Sequence, residues 1–261
     1  MRISRRIALA VPAAALALAM GAANAQDTMK LKIGTEGAYP PFNNLTSDGS
    51  LEGFDIDIAK ALCEEMKADC EFVTQDWDGI IPALQAGKFD AIIASMSITE
   101  DRLKEVDFTD KYYNTPPAVV APNDTDIEGV TKEDLAGKTI GAQGSTTHST
   151  YAETHFSDSD VKLYPTAEEY KLDLINGRLD AVIDDVVVLE EFLKSDEGAC
   201  CKVVGTLTPV EEIYGPGIGI AVRKGEDDLR EKLNAAIKAI RDNGKYKEIN
   251  DKYFSFDVYG G

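Results

Sequence analysis

The stretch that most constrains the fold is residues 76–102, DWDGIIPALQAGKFDAIIASMSITEDR. Apolar side chains such as Ile80 and Leu84 recur at helical spacing in its first half. Residues 90–94 then form an apolar run that is too short for anything but a strand, and its continuity indicates a sheet covered on both faces. A helix followed by such a strand predicts an α/β fold with a largely parallel sheet.

The same alternation recurs along the chain and restarts after an extended crossover near Thr115. A strand after the turn at 214–217 is predicted to cross back. Two α/β lobes are therefore expected: lobe I from residues 26–114 and 215–261, and lobe II from residues 115–214. Further strands are predicted at 31–35, 71–74, 138–142, 161–164, 181–183 and 218–222, and helices at 168–176, 186–193, 229–240 and 246–253.

The first 25 residues have the pattern of a secretory signal peptide. Three arginines precede an apolar run at 7–20, and residues 23–25 (ANA) have the small side chains of a signal-peptidase site. The apolar run is shorter than the roughly 20 residues that a membrane-spanning helix needs. Cleavage after Ala25 and export of the remaining chain are therefore expected.

The chain is strongly acidic, with 46 Asp and Glu against 27 Lys and Arg and a formal net charge of −19. Removal of the predicted signal peptide takes away three arginines and no acid, which makes the balance more negative. Such a charge argues against nucleic acid or an anionic membrane surface as a partner and favours a cationic one. A solvated acidic surface that keeps an exported protein soluble explains the charge equally well.

Four cysteines are present, and export permits disulfides. Cys63 ends a predicted helix for which Asp55 is the expected N-cap, and Cys70 begins the next strand, so a local disulfide is feasible. Cys200 and Cys201 are adjacent, and whether they pair with each other stays open. No second pair of cysteines and no histidine has the spacing of a zinc ligand, so no metal is expected.

Polar side chains follow several predicted strands where open parallel sheets place their ligand sites. Arg102 offers a planar fork that matches a carboxylate, and the backbone N–H of Thr146 at the head of a helix favours the same anion. Asp185 follows another strand and is suited to receive an ammonium group. Together these groups suit a zwitterion, although each alone is also common as a surface charge or a helix cap.

Three further candidates lie on loops at strand ends. Tyr39 and Trp77 have faces that can flank an aliphatic or cationic side chain, or they simply pack in the core. Glu36 lies three residues before Tyr39, where it pairs with a distal positive charge or remains a solvated loop acid. The two histidines, His148 and His155, have no third ligand or base spaced with them, and no nucleophile motif is present, so no catalytic residue is expected.

Several motifs of this chain occur together in one family. The set resembles the periplasmic polar amino-acid binding proteins of ABC importers, solute-binding protein family 3, in particular the lysine/arginine/ornithine and histidine binding proteins. The GFDID and SxSITxxR motifs are the most specific part of the resemblance. The motifs are GFDIDI at 53–58, the run 90–99 followed by Arg102, QGST at 143–146, LDA at 179–181 and KYF at 252–254.

The resemblance implies a type II periplasmic-binding-protein fold, in which two hinge strands join two lobes that close over the ligand. It also implies a periplasmic location, no enzymatic activity, no cofactor, and a bridge between Cys63 and Cys70. The expected partners are a basic L-amino acid and the transmembrane subunits of an ABC permease, and the receptor is expected to be a monomer.

The resemblance also implies a role for each candidate residue. Arg102 and the Thr146 N–H would receive the α-carboxylate of the ligand. The α-ammonium group would bind Asp185, Ser97 and the backbone of Ser95. Tyr39 and Trp77 would flank the ligand side chain, and Glu36 would face its distal nitrogen.

Two positions depart from the members that this chain resembles most. Ala94 stands where they have serine, and Thr147 stands where they have glutamine, both at the side-chain end of the pocket. Arginine, lysine and ornithine therefore all stay open as ligands. An opine such as octopine or nopaline, histidine, and a dehydratase acting on a small carboxylic acid with the same scaffold are the alternatives.

Overall fold

A computed structural model describes residues 28–260. The signal peptide predicted at 1–25 lies outside these residues. None of the helices within 28–260 combines the length and the apolar character that a membrane span requires.

Strands and helices alternate along the described chain. The strands are β1 (Lys30–Thr35), β2 (Ala38–Tyr39), β3 (Asn43–Leu45), β4 (Leu51–Glu52), β5 (Asp69–Thr74), β6 (Ala91–Ile92), β7 (Val106–Phe108), β8 (Pro117–Pro122), β9 (Thr139–Gln143), β10 (Asp160–Tyr164), β11 (Ala181–Asp185), β12 (Cys201–Thr206) and β13 (Ala221–Arg223). The helices are α1 (Phe54–Met66), α2 (Ile80–Gln85), α3 (Glu100–Glu105), α4 (Thr147–His155), α5 (Ala167–Ile175), α6 (Val186–Leu193), α7 (Glu211–Tyr214), α8 (Asp227–Asp242) and α9 (Lys245–Tyr253).

Two five-stranded sheets define the two lobes. The sheet of lobe I has the order β5-β1-β6-β13-β7, and the sheet of lobe II has the order β10-β9-β11-β8-β12. In each sheet the first three strands are parallel, and the fourth strand, β13 or β8, runs antiparallel to both of its neighbours. The predicted α/β fold is confirmed, while the division into lobes after 114 and 214 stays a prediction.

Helices cover both sheets because their apolar residues lie on one face. In α8 the buried residues Leu233, Ala236, Ile237 and Ile240 follow the helical period. Helix α1 packs against α8 and α9 on lobe I. Residues 91–94 of the predicted run are buried and Asp90 is partly exposed, but only Ala91–Ile92 pairs as a strand, because the chain leaves the sheet toward Ser95, which has a positive φ of 53°.

Two segments connect the lobes. One runs from β7 to β8, and the other, which contains α7, runs from β12 to β13. They pair with each other, since Ile218 N donates to Tyr113 O (2.9 Å) and Tyr112 N donates to Ile218 O (2.8 Å). The strand predicted at 218–222 is thus observed as β13 from Ala221, and its first residues belong to the connection.

Asp55 is not the N-cap that the sequence predicts. Helix α1 begins two residues earlier than that prediction, at Phe54, with Gly53 at the cap position. The Asp55 carboxylate is buried inside lobe I and accepts hydrogen bonds from Asn43 Nδ2 (2.9 Å), Ser95 Oγ (3.0 Å) and Tyr112 OH (2.7 Å). Three donors from distant parts of the chain compete for this carboxylate more effectively than one local N–H does.

The cysteines form two bonded pairs. The expected disulfide between Cys63, at the end of α1, and Cys70, in β5, is present. The adjacent Cys200 and Cys201 are also joined, at the start of β12.

Candidate binding site

A single cavity between the lobes is lined by every residue that the sequence singled out for binding. About 580 Å³ of empty space lies among its walls, with open solvent at the mouth included. The predicted residues are Glu36, Tyr39, Trp77, Ser95, Ser97, Arg102, Thr146 and Asp185.

The sheets bring these residues together by placing the carboxyl ends of their parallel strands at the cavity. In lobe I, Glu36 follows β1, Trp77 follows β5 and Ser97 follows β6. In lobe II, Thr146 follows β9 and Asp185 ends β11. The location agrees with the general position of ligand sites in open α/β sheets.

Arg102 reaches the cavity from α3, where Thr99 caps the helix by accepting a hydrogen bond from the Arg102 N–H (3.2 Å). Its guanidinium donates to the carbonyls of Ser97 (3.0 Å) and Ser145 (3.1 Å) and lies 5.2 Å from the centre of the Trp77 ring. Within 28–260 no carboxylate forms an ion pair with it. Removal from water lowers its pKa to about 10, so the group stays cationic at neutral pH.

The carbonyl of Ser145 joins the two lobes. It accepts one hydrogen bond from Trp77 Nε1 (3.1 Å) and one from Arg102, both of which belong to lobe I. Ser145 has a positive φ of 58°, in the turn between β9 and α4. Sequence reasoning missed this contact because a backbone carbonyl has no residue signature, and the Gly-Ser-Thr turn was its only indication.

Helix α4 begins at the cavity, and a capping box satisfies the backbone at its N-terminus. Thr146 Oγ1 accepts from Ser149 N (3.0 Å), and Thr146 N donates to Ser149 Oγ (3.2 Å). The first-turn N–H groups that have no partner within the helix point toward its N-terminus and favour an anion there. Across the cleft, Ser97 Oγ lies 3.4 Å from Thr147 Oγ1.

Asp185 is buried at the junction of β11 and α6 and serves as the N-cap of that helix. Its Oδ1 accepts a hydrogen bond from Val187 N (2.8 Å), and its Oδ2 accepts one from the Thr115 hydroxyl. Burial raises the pKa of Asp185 to about 7. The carboxylate therefore lacks the positive partner that would stabilise its charge.

Glu36 contacts the opposite lobe through Gln143. Gln143 Nε2 donates to Glu36 Oε1 (2.6 Å) and to the carbonyl of Pro165 (3.0 Å), which leaves Glu36 Oε2 without a partner among these bonds. Burial raises the pKa of Glu36 to about 7, against the smaller effect of the Gln143 hydrogen bond. Gln143 was quoted in the QGST motif but was not predicted to act on Glu36.

Tyr39 and Ser95 are held by buried acids. The Tyr39 hydroxyl donates to Asp184 of lobe II, and the Ser95 hydroxyl donates to Asp55 of lobe I (3.0 Å). Only the backbone of Ser95 is left for a ligand, which is the part that the resemblance implies.

His148 also lines the cavity, with Nε2 3.3 Å from Asp184 Oδ1 and Nδ1 3.4 Å from the Tyr214 hydroxyl. The sequence suggested this histidine only as a weak metal or base candidate, and the spacing along α4 did not point to Asp184. Residues 28–260 hold no group of three or more His, Cys, Asp or Glu side chains suited to a metal ion.

Several known proteins are similar to this chain. The model of the bacterial extracellular solute-binding proteins, family 3, matches residues 31–256. The chain is 50% identical to the L-arginine-binding protein of Pseudomonas aeruginosa over 88% of this chain and 90% of that protein. It is 40% identical to the histidine-binding periplasmic protein of Escherichia coli over 92% and 93% of the two chains.

A solved structure supports the same relationship. It is that of a Salmonella typhimurium periplasmic binding protein described for its high arginine specificity. The TM-score is 0.80 with 33% sequence identity, and the match covers 87% of this chain and all of the other.

Proposed function

This chain belongs to the bacterial extracellular solute-binding proteins of family 3, and we propose that it binds a basic L-amino acid and delivers it to an ABC permease. L-arginine is the expected ligand, ahead of lysine and ornithine, because the relative with 50% identity is named for it. The observation that carries the proposal is one cavity lined by Arg102, Asp185 and Glu36. The receptor would act in the periplasm after cleavage behind Ala25, as a monomer and without catalysis.

The α-carboxylate of the ligand would bind between Arg102 and the start of α4. Arg102 donates one hydrogen bond to each of two carbonyls, and a guanidinium has five N–H donors in all. The remaining donors and the N-terminus of α4 both favour an anion.

The α-ammonium group would bind Asp185, with Ser97 and the carbonyl of Ser95 as further acceptors. Asp185 still has acceptor capacity beyond the two hydrogen bonds that it receives inside the protein. An ammonium group beside it would bring its raised pKa back down, because an opposite charge at close range stabilises the ionised form.

The side chain of the ligand would extend toward Glu36, flanked by Tyr39 and Trp77. Glu36 is held by Gln143 through one oxygen only, so the other is available to a guanidinium or ammonium group. Its raised pKa supports a cationic ligand, since a buried acid without a cation beside it favours the protonated form.

Closure over the ligand would work by a shift in population. Contacts across the cleft already join Ser145 to Arg102 and Glu36 to Gln143, which is the arrangement of a closed state. A ligand that touches both lobes stabilises that state relative to an open one.

An opine is a less suitable ligand for this cavity. Octopine and nopaline carry a second acid arm, which needs a cationic receiver of its own. Among the described lining residues Arg102 is the only lysine or arginine, and the α-carboxylate would occupy it. Histidine stays an alternative because one relative is named for it.

The test is a calorimetric titration of refolded, ligand-free protein. The panel contains arginine, lysine, ornithine, histidine, glutamine, octopine and nopaline, and refolding removes ligand retained from the host. One-to-one binding that is tightest for the basic amino acids supports the proposal. Binding of opines alone would contradict the proposed ligand class. If no compound of the panel binds and the protein forms product from a prephenate-like substrate, the proposed receptor function is contradicted.

A further inference from the structure

Asp184 is a buried carboxylate that the proposed binding role does not use. The residue is 2% exposed and does not line the cavity. Its Oδ1 accepts hydrogen bonds from the Tyr39 hydroxyl and from the N–H of Asp185 (2.7 Å), and Oδ2 accepts one from the Tyr170 hydroxyl. His148 Nε2 lies 3.3 Å from Oδ1. Because Tyr39 belongs to lobe I, one of these bonds crosses the cleft.

The surroundings of Asp184 suit the ionised carboxylate. Two hydroxyls, one backbone N–H and one imidazole nitrogen surround its oxygens, and an ionised carboxylate only accepts hydrogen bonds. Its one ion-pair partner within 28–260 is His148. Burial lowers the pKa of His148 even though Asp184 acts in the opposite direction, so the imidazole is neutral at physiological pH. No permanent cation therefore compensates Asp184 in the described part of the chain.

The charges around the cavity leave a surplus of acids. If the α-groups of an amino acid engage Arg102 and Asp185, the acids left over are Glu36 and the buried Asp184, with the exposed Asp76 and Asp78 also near Glu36. Asp184 acts on Glu36 at a distance, because its charge adds to the larger effect of burial in raising the pKa of Glu36. A cationic side chain beside Glu36 would therefore experience the field of both carboxylates.

We infer that Asp184 is a specificity-determining residue, which favours ligands with cationic side chains through its buried charge and without touching them. The inference rests on the proposed function and deepens it. A unit charge about 10 Å from a ligand cation, at the effective dielectric constant typical of proteins, changes affinity by about tenfold.

The experiment compares arginine with citrulline, in which a neutral urea group replaces the guanidinium. We expect Asp184→Asn to lower the ratio of arginine affinity to citrulline affinity by about tenfold, because only arginine has a cationic side chain that the charge of Asp184 attracts. Tyr170→Phe is the matched control. It removes one hydrogen bond from Asp184, keeps the charge and changes no cavity-lining residue, so the ratio should stay at the wild-type value.

An unchanged ratio in Asp184→Asn, which includes equal weakening of both ligands, would mean that the residue has only a structural role and would overturn the inference. Failure of the wild-type protein to bind arginine would instead overturn the proposed function, so the two failures are distinguishable.

A second pair of variants tests the charge if Asp184→Asn does not fold. Asp184→Glu keeps the buried charge, whereas Asp184→Gln has nearly the same shape without the charge, and neither changes a cavity-lining residue. We expect the arginine to citrulline ratio to be lower in Asp184→Gln than in Asp184→Glu. Equal ratios in the two folded variants would contradict the inference.

Discussion

The two lobes present different chemistry to the cleft between them. Lobe I reaches across with donors, since Trp77 and Arg102 both donate to the carbonyl of Ser145, and Tyr39 donates to Asp184. Lobe II receives them with acceptors. The reverse direction is represented by the bond from Gln143 to Glu36.

When the lobes are closed, some of these polar groups are paired within the protein and others remain for a ligand. The indole and hydroxyl donors of lobe I find acceptors directly in lobe II. Arg102, Glu36 and Asp185 are left with charges that the protein does not pair within 28–260. A ligand with one anionic and two cationic groups matches these three.

Removal of the lobe I cation should have the largest effect. We expect Arg102→Ala to cost about 3 to 5 kcal/mol for every α-amino acid, because the α-carboxylate of the ligand is then buried without a cationic partner. Calorimetry with arginine and glutamine measures the loss. Arg230→Ala is the control, since Arg230 forms only a surface pair with Asp227. Retention of tight arginine binding in Arg102→Ala would contradict the assignment.

Neutralisation of the lobe I acid should have a smaller and selective effect. Glu36→Gln keeps the shape of the side chain but removes its charge, so arginine should lose about 2 kcal/mol, the value of a hydrogen bond to a charged group. Glutamine and citrulline should be nearly unaffected. The same calorimetric panel checks this result, and an equal loss for neutral and basic ligands would refute the role of Glu36.

A change of pH should act on both lobes at once. The pKa values of Glu36 and Asp185 are raised to about 7, so both acids take up protons as the pH falls below that value and arginine affinity should fall with it. Citrulline depends on Asp185 alone, so its affinity should fall less steeply. Titrations between pH 5 and pH 8 measure both slopes, and Glu36→Gln should make them equal.

The stability of the ligand-free protein should change in the opposite sense. Between about pH 4 and pH 7 these two acids bind more protons in the folded state than in the unfolded chain, so their contribution to the free energy of unfolding decreases as the pH rises. Denaturant unfolding of wild type and Glu36→Gln at several pH values measures the contribution of Glu36 to the free energy of unfolding. A contribution that increases with pH would contradict the raised pKa of Glu36.

A change remote from the cleft should have the smallest effect on binding. Cys63 and Cys70 lie where α1 ends and β5 begins, at the edge of the sheet opposite the ligand. Replacement of both by alanine opens a short loop and should lower the free energy of unfolding by about 2 kcal/mol. The dissociation constant for arginine should stay the same, and a weakened affinity would place the disulfide in the communication between the lobes.

Local pattern was sufficient for most of the fold. The helical period in 229–240 and the apolar run at 181–183 correspond to α8 and β11, because one face of each element must be buried whatever its neighbours are. Helix α6 has the predicted bounds, 186–193. The prediction that Asp55 caps α1 was wrong, because the sequence indicates where the helix starts but not the three donors that surround this carboxylate.

The candidate site, like the fold, was predicted from the sequence in part only. The sequence by itself determined the residue types at the strand ends, so Arg102, Asp185 and Glu36 were found before their distances were known. Only the tertiary structure decided which groups meet across the cleft: the carbonyl of Ser145 with Arg102, and Asp184 with Tyr39. These pairs are separated by long stretches of chain, and their energies depend on burial and charge, which no local spacing encodes.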